Sequence, residues 1–336
     1  MDSERKLVLG VILPHTKIFG GVKRFFEIAN ILISKGHTFT VFTPEGKSPD
    51  WFPFSGEVLT LDQISRYKFD ALFITEPAFL GALDQANTTI KIFYAVLQRR
   101  YIRKVAARRD LIMFANSTPL YEYLGGSRNQ HLIKCIGGID LNKFGYRQRE
   151  MKDPSDPFIV LAYGRFYRKK KGTLMVVKSC ERLYRQGYNI KLMLFDSPVD
   201  EDSRKKVKEF SCAVPFEFFV DHPVERLPEL YYKADLFVSA ERNAGWSNTS
   251  AEAMACGLPV VATRSGTSDF LIHEKTGLVV WRHRWFIQRA IKRMYHDDSL
   301  RQSLAANARK AIEQYSWESL ADTIQGFVSK RLRIMG

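Results

Sequence analysis

Short apolar runs alternate with stretches of helical periodicity through the first half of the chain. Residues 6–13 read as a strand and 22–35 as an amphipathic helix, stopped by Gly36 where a helix C-cap favours glycine. Residues 38–43 form the next expected strand. Further apolar runs follow at 70–74, 90–94, 111–115 and 132–136, mostly separated by helix-like stretches. Strands alternating with helices predict βαβ units and a mostly parallel sheet. A polar, charged stretch over 142–157, with prolines and Gly145, breaks the pattern as a linker would. The alternation then restarts, with strands expected at 158–163, 190–195, 214–220, 236–240 and 259–263 and a helix over 173–186. From 282 to about 333 the pattern is helical throughout.

This spacing predicts two doubly wound α/β units. Their expected bounds are 1–145 for the first, 146–157 for the linker and 158–315 for the second. A terminal helix, 316–336, is expected to cross back to the first domain. Ligands of open parallel sheets bind at the carboxyl ends of the strands, so chemistry is expected in the loops after strands, facing the cleft between the domains.

The strongest such stretch runs from Ser239 to Val280. A strand ends, a loop with Gly245 and Trp246 follows, and a short helix carries Glu252 ahead of Gly257-Leu258-Pro259. A helix N-terminus offers unpaired N–H groups to an anion. Glu252 suits the vicinal hydroxyls of a ribose; taken alone, it is equally a first-turn acid favoured by the helix dipole. The turn at Ser265-Gly266-Thr267 adds backbone donors, and Trp246 is either a sugar-stacking ring or a packing aromatic.

This stretch resembles the nucleotide-sugar-binding half of GT-B glycosyltransferases, in particular the large retaining family 4. Gly245-Trp246-Ser247 and the run from Glu252 through Ala-Met-Ala-Cys-Gly-Leu-Pro-Val-Val to Ala262 follow that family's pattern closely. The family's two glutamates stand eight positions apart, and eight before Glu252 is Ala244. Glu241 and Asn243 are the nearby polar residues that could contact the sugar instead.

The loop after the strand at 158–163 reads Gly164-Arg165-Phe166-Tyr167-Arg168-Lys169-Lys170-Lys171-Gly172. An Arg and a Lys can clamp a departing diphosphate, though a lysine-rich run is also an ordinary solvated turn. The resemblance selects Arg165 and Lys171, which occupy the family's Gly-Arg and Lys-Gly positions, as the catalytic pair. Gly20-Gly21 ahead of the first helix, then Gly36-His37, resembles the family's opening and implies close backbone approach to the donor at Gly20 and Gly21. The segment 135–144 also follows the family, in Gly138, Asp140 and Phe144. Many members place a His after the fourth strand of the first domain; here that run, 93–98, holds none. Tyr94, Gln98 and His15 are left as polar candidates for acceptor or sugar contacts.

The resemblance implies a GT-B fold and transfer of a sugar from a nucleoside-diphosphate sugar to an acceptor hydroxyl, with retention. The acceptor class stays open among glycan, lipid-linked sugar and small molecule. No cofactor and no metal are expected: Asp200-Glu201-Asp202 reads as an acidic helix start. No Ser-His-Asp, HExxH or P-loop pattern is present. A non-catalytic relative that binds sugar nucleotide or glycan is the alternative.

Composition adds the scale and the charge. A length of 336 residues suits about two domains. Hydrophobic residues at 45% and charged residues at 26% exclude a disordered or low-complexity chain. No apolar run approaches the ~20 residues that span a bilayer, and residues 7–13 follow Asp2, Glu4 and Arg5 as a buried strand would, not a signal peptide. Cys135, Cys180, Cys212 and Cys256 lie far apart with no CxxC pair, which predicts free, mostly buried thiols and a cytoplasmic location. The net charge of +15 points either to an anionic partner or to a solvated basic surface. Nucleic acid is not expected, since no RRM, KH or zinc pattern accompanies the charge. Residues 98–109 hold six basic and no acidic residues: Arg99, Arg100, Arg103, Lys104, Arg108 and Arg109. With Ile102, Val105 and Ala106 as an apolar side, they predict either peripheral contact with an anionic membrane or a basic edge for an acidic acceptor.

Overall fold

The computed structural model describes residues 5–149, 153 and 155–335. Asp2, Glu4 and the linker positions 150–152 and 154 lie outside the described residues. The chain divides into two compact units, one of residues 1–138 with 315–336 and the other of residues 139–314.

In the first unit the strands are β1 (Val8–Ile12), β2 (Thr38–Thr43), β3 (Glu57–Thr60), β4 (Phe69–Ile74), β5 (Thr88–Ala95), β6 (Leu111–Ala115) and β7 (Leu132–Lys134). They form one seven-stranded sheet in the order β3-β2-β1-β4-β5-β6-β7. Every pairing in it is parallel. Side chains alternate between its two faces. Leu9, Val11, Phe39, Val41, Ala71 and Phe73 pack into one core, with the Gly20–Ser34 and Trp317–Met335 helices. Ile12, Phe42, Leu72 and Ile74 pack into the other. Burial on both faces is why these strands read as nearly continuous apolar runs. The edge strand β3, half exposed and polar, has no such signature in the sequence.

The second unit repeats the plan. Its strands are β8 (Phe158–Tyr163), β9 (Ile190–Asp196), β10 (Phe216–Val220), β11 (Leu236–Ser239), β12 (Val260–Ala262) and β13 (Leu278–Val279). They form a parallel six-stranded sheet ordered β10-β9-β8-β11-β12-β13. The strand expected from 214 begins at Phe216 because Pro215 has no N–H to give a ladder; its carbonyl accepts from Leu192 N at 2.9 Å. The helical tail is three helices, Arg284–His296, Asp298–Ile312 and Trp317–Met335. Asp297 caps the second of them by accepting from Leu300 N at 2.8 Å.

The charged stretch read as a linker is, in its described part, packed on the second unit. Arg149 donates to the carbonyls of Tyr231 (2.6 Å) and Tyr232 (3.0 Å) at the end of the Leu227–Lys233 helix, and to Gly257 O (3.3 Å). Arg147 lies 3.9 Å from the centroid of the Tyr232 ring. Arg149 thus satisfies orphan helix carbonyls. Charge density alone does not separate that role from a solvated tether. All four cysteines are free.

Candidate active site

β8 lies between β9 and β11 in the second sheet, so the chain leaves β8 toward one side and returns on the other. Such a switch point is where open α/β sheets bind ligands. The loops that flank it are 164–172, after β8, and 240–247, after β11. Gly172 brings them together. Its φ is +71°, and a Cβ there would stand 2.2 Å from Ala240 O, so only glycine lets the two backbones touch. Arg242 N donates to Lys170 O at 2.8 Å, and the Arg282 guanidinium donates to both Ala240 O and Lys169 O at 2.8 Å. The edge is thus braced before any ligand arrives.

Both predicted cations converge here. Arg165 donates through Nε to Asp196 Oδ1 at 3.0 Å and through Nη2 to Ser197 O at 2.9 Å. The Asp196 carboxylate is fully buried and also accepts from the Tyr167 hydroxyl at 2.6 Å. Burial, with that carboxylate beside it, pushes the Tyr167 phenol up to about 12. Lys171 forms an ion pair with Glu241. The Arg165 guanidinium and the Lys171 ammonium lie 5.1 and 5.4 Å from the centroid of one ring, Tyr163 at the end of β8. Burial works against the charge on Arg165, but the facing Tyr163, Asp196 and Tyr167 outweigh it and raise its pKa.

Glu252 sits on the Asn248–Ala255 helix, 7% exposed, and Oε2 accepts from the Tyr231 hydroxyl at 2.7 Å. Burial and the adjacent carboxylate hold the Tyr231 phenol well above its usual value, so it stays a donor. Ser247, the N-cap, gives the helix no side-chain bond; its hydroxyl pairs with that of Ser250 at 2.9 Å. Gly245 and the exposed Asn243, whose φ is +63°, form the turn ahead of it.

Three donor-side expectations change. Trp246 is buried, its ring edge-to-face with Phe270 at 4.7 Å, so it is a packing aromatic and not a stacking platform. Thr267 is 1% exposed and its hydroxyl donates to Thr263 O at 2.8 Å, which leaves it none for a ligand. Gly266 contributes a carbonyl, which accepts from Ser247 N at 2.8 Å, and its φ of +74° lets Ala244 and Ser247 close against it.

In the first unit, Gly20 and Gly21 open the Gly20–Ser34 helix, Gly20 exposed and no atom within 4 Å of a Cβ at Gly21. Tyr94 is not a contact residue. It is fully buried, donating to Cys135 O at 2.5 Å and accepting from the buried Arg24 at 3.0 Å. Gln98 is exposed in the loop after β5, and His15 is half-buried with its ring 4.9 Å from that of Phe19. The basic stretch 98–109 is helical only over Ile102–Ala106. Ile102 and Val105 face the core, at 2% and 5% exposure, so they offer no apolar side to a membrane. Arg108 is forked onto Asp84 and Asp110, and Arg103 lies over the Tyr123 ring at 4.1 Å. Arg99, Arg100, Lys104 and Arg109 remain exposed.

Asp200 caps the Glu201–Lys208 helix by accepting from Ser203 N at 2.7 Å. Among the described residues no group of three or more His, Cys, Asp or Glu is placed to hold a metal ion, and no helix is long and apolar enough to cross a membrane.

Residues 147–311 match the family of glycosyl transferases group 1. The match covers nearly all of the second unit. Among curated relatives, the capsular polysaccharide biosynthesis glycosyltransferase CapM of Staphylococcus aureus is 27% identical, over 57% of this chain and 54% of its own. The D-inositol 3-phosphate glycosyltransferase of Arthrobacter sp. (strain FB24) is 28% identical, over 57% of this chain and 48% of its own. The chain thus spans about half the length of these relatives. Among solved structures, the sucrose-phosphate synthase of Thermosynechococcus elongatus superposes with a TM-score of 0.79 at 18% identity, covering 98% of this chain and 100% of the other. HepE of Anabaena does so with a TM-score of 0.75 at 16% identity, covering 96% and 100%. The fold is GT-B, two Rossmann-like parallel-sheet units.

Tyr231 and Asp196 escaped the sequence reading. Tyr231→Phe removes the bond that orients Glu252. For the nucleotide-sugar donor proposed below, the dissociation constant is expected to rise roughly five- to tenfold, with turnover at saturating donor unchanged. A binding titration that returns the wild-type constant would show that Tyr231 does not set the carboxylate.

Proposed function

We propose that this chain is a glycosyltransferase that moves a sugar from a nucleoside-diphosphate sugar to an acceptor hydroxyl, with retention of anomeric configuration. The observation that carries the reading is the convergence of Arg165 and Lys171 on Tyr163 at the carboxyl edge of the second sheet. Two fixed cations there suit the charge that develops on a departing diphosphate. Glu252, with Tyr231 holding Oε2, receives the ribose hydroxyls on its other oxygen. Gly245 and the first turn of the Asn248–Ala255 helix supply backbone donors to phosphate. The acceptor falls to the first unit, where Gln98 is the exposed polar candidate.

The carboxylates at this edge are already engaged: Asp196 with Arg165 and Tyr167, Glu241 with Lys171, Glu252 with Tyr231. That favours attack from the leaving-group face. The bond from C1 to the diphosphate oxygen breaks as the bond to the acceptor oxygen forms, and the acceptor's proton passes to the leaving phosphate. Glu241, still paired with Lys171, accepts from a sugar hydroxyl in place of an acid at Ala244.

HepE of Anabaena has been solved with UDP and glucose, which makes UDP-glucose the first donor to test. A thermal-shift series over nucleotide sugars is expected to raise the unfolding midpoint for one of them, because a ligand of the native state stabilises it. Slow hydrolysis of that donor without acceptor marks the enzyme; binding without hydrolysis marks a non-catalytic relative. No stabilisation by any nucleotide sugar refutes both.

The cationic pair does the work that a divalent ion does in other transferases. Transfer is therefore expected to persist in excess chelator. Loss restored by magnesium or manganese contradicts this.

A further inference from the structure

Directly after β13 the chain reads Trp281-Arg282-His283-Arg284-Trp285-Phe286. Trp281 is 77% exposed, Trp285 49% and Phe286 39%. Three large aromatics grouped in water mark an interaction surface, not scattered surface residues. The Arg284–His296 helix has its own inward stripe, Ile287, Ala290, Ile291 and Met294, so the aromatics are surplus to the core.

Positive charge surrounds them. Arg289 lies 5.3 Å from the Trp285 ring centroid, and Arg284 is exposed between the two tryptophans. Arg282, through its bond to Lys169 O, sets the run beside the exposed Lys169 and Lys170, and Arg242 N is bonded to Lys170 O. The acids Glu241 and Glu274 are already paired, with Lys171 and Arg293. Among the described residues none of Lys169, Lys170, Arg242, Arg284 and Arg289 is held in an ion pair.

We propose that the 281–286 face docks the protein on an anionic lipid surface. Tryptophan rings settle at the headgroup level of a bilayer, and cations beside them are drawn to acidic lipid. A sugar-stacking platform is the poorer fit. Trp285 carries the Arg289 guanidinium against its ring, and the Phe286 ring stands at 87° to it, so the two present no shared flat face. Through Arg282 the same segment holds Ala240 O and Lys169 O, so the docking face and the donor-side loops are one rigid piece.

The test is co-sedimentation of the full chain with phosphatidylcholine vesicles, with and without phosphatidylglycerol. Binding is expected only with the anionic lipid, and it weakens with salt. Trp281→Ala with Trp285→Ala should weaken it roughly tenfold or more, and Arg284→Ala or Arg289→Ala about fivefold each. These side chains are exposed, so the variants are expected to keep the wild-type melting curve. Binding that is unchanged in the tryptophan variants overturns the proposal. So does loss that instead follows Arg99→Ala with Arg100→Ala, or retention of an acidic polysaccharide with no vesicle binding.

Discussion

Alanine at Arg165 or at Lys171 is expected to lower turnover by on the order of 10²–10³-fold, the usual cost of one well-placed transition-state donor. Donor affinity should fall far less, because both charges match a departing diphosphate better than the esterified one. Lys171→Ala is the cleaner variant. Its side chain is 31% exposed and its partner Glu241 keeps some access to water, so removing it leaves no sealed charge. Arg165→Ala also uncovers Asp196, whose side chain is 0% exposed, and losing one partner of a buried pair costs about 3–5 kcal/mol in stability. Its turnover must therefore be measured well below its lowered melting temperature. Arg165→Lys should not rescue it, since an ammonium cannot bond Asp196 and Ser197 O through two edges at once. Lys169→Ala, exposed and outside the pair, should turn over at the wild-type rate. Equal, mild losses in all three variants would falsify the clamp.

What the sequence makes legible is what repeats or lies close along the chain. Residues 111–115 and 158–163 read as strands because burial on both faces leaves them uniformly apolar, and the structure places strands at those bounds. Glu252 and the Arg165–Lys171 spacing are likewise local patterns. Their partners are not: Asp196 is 31 positions from Arg165, Tyr231 is 21 from Glu252, and Arg282 reaches back 113 to Lys169. No period links such residues; only the fold does. Tyr94 misleads for the complementary reason. It ends an apolar run near the expected site, but the sheet turns it inward, where Arg24 and Cys135 O saturate its hydroxyl. Residues 282–286 fall within a helical pattern that accounts for Ile287 and Ile291 and says nothing of where Trp285 goes, and Trp281 lies just ahead of it.

Gly172→Ala is expected to be the most damaging change that removes no chemical group. An alanine at φ +71° costs about 1–2 kcal/mol by itself. Its Cβ would also stand 2.2 Å from Ala240 O and 2.7 Å from Ala240 C. Neither atom can yield alone, because Arg282 also holds that carbonyl, at 2.8 Å. The 164–172 and 240–247 loops must then part, by more than 1 Å to regain ordinary contact at 3.4 Å or beyond, and Lys171 moves with them. A displacement of that size at reacting groups costs on the order of 10²-fold in rate. Gly187→Ala separates the two causes. Gly187 has φ +87° but nothing within 4 Å of its Cβ, so it carries the backbone strain without the collision. Both variants should melt lower than wild type, Gly172→Ala further, and only Gly172→Ala should lose turnover. A Gly172→Ala protein with full activity would mean that the two loops need not touch for the clamp to form.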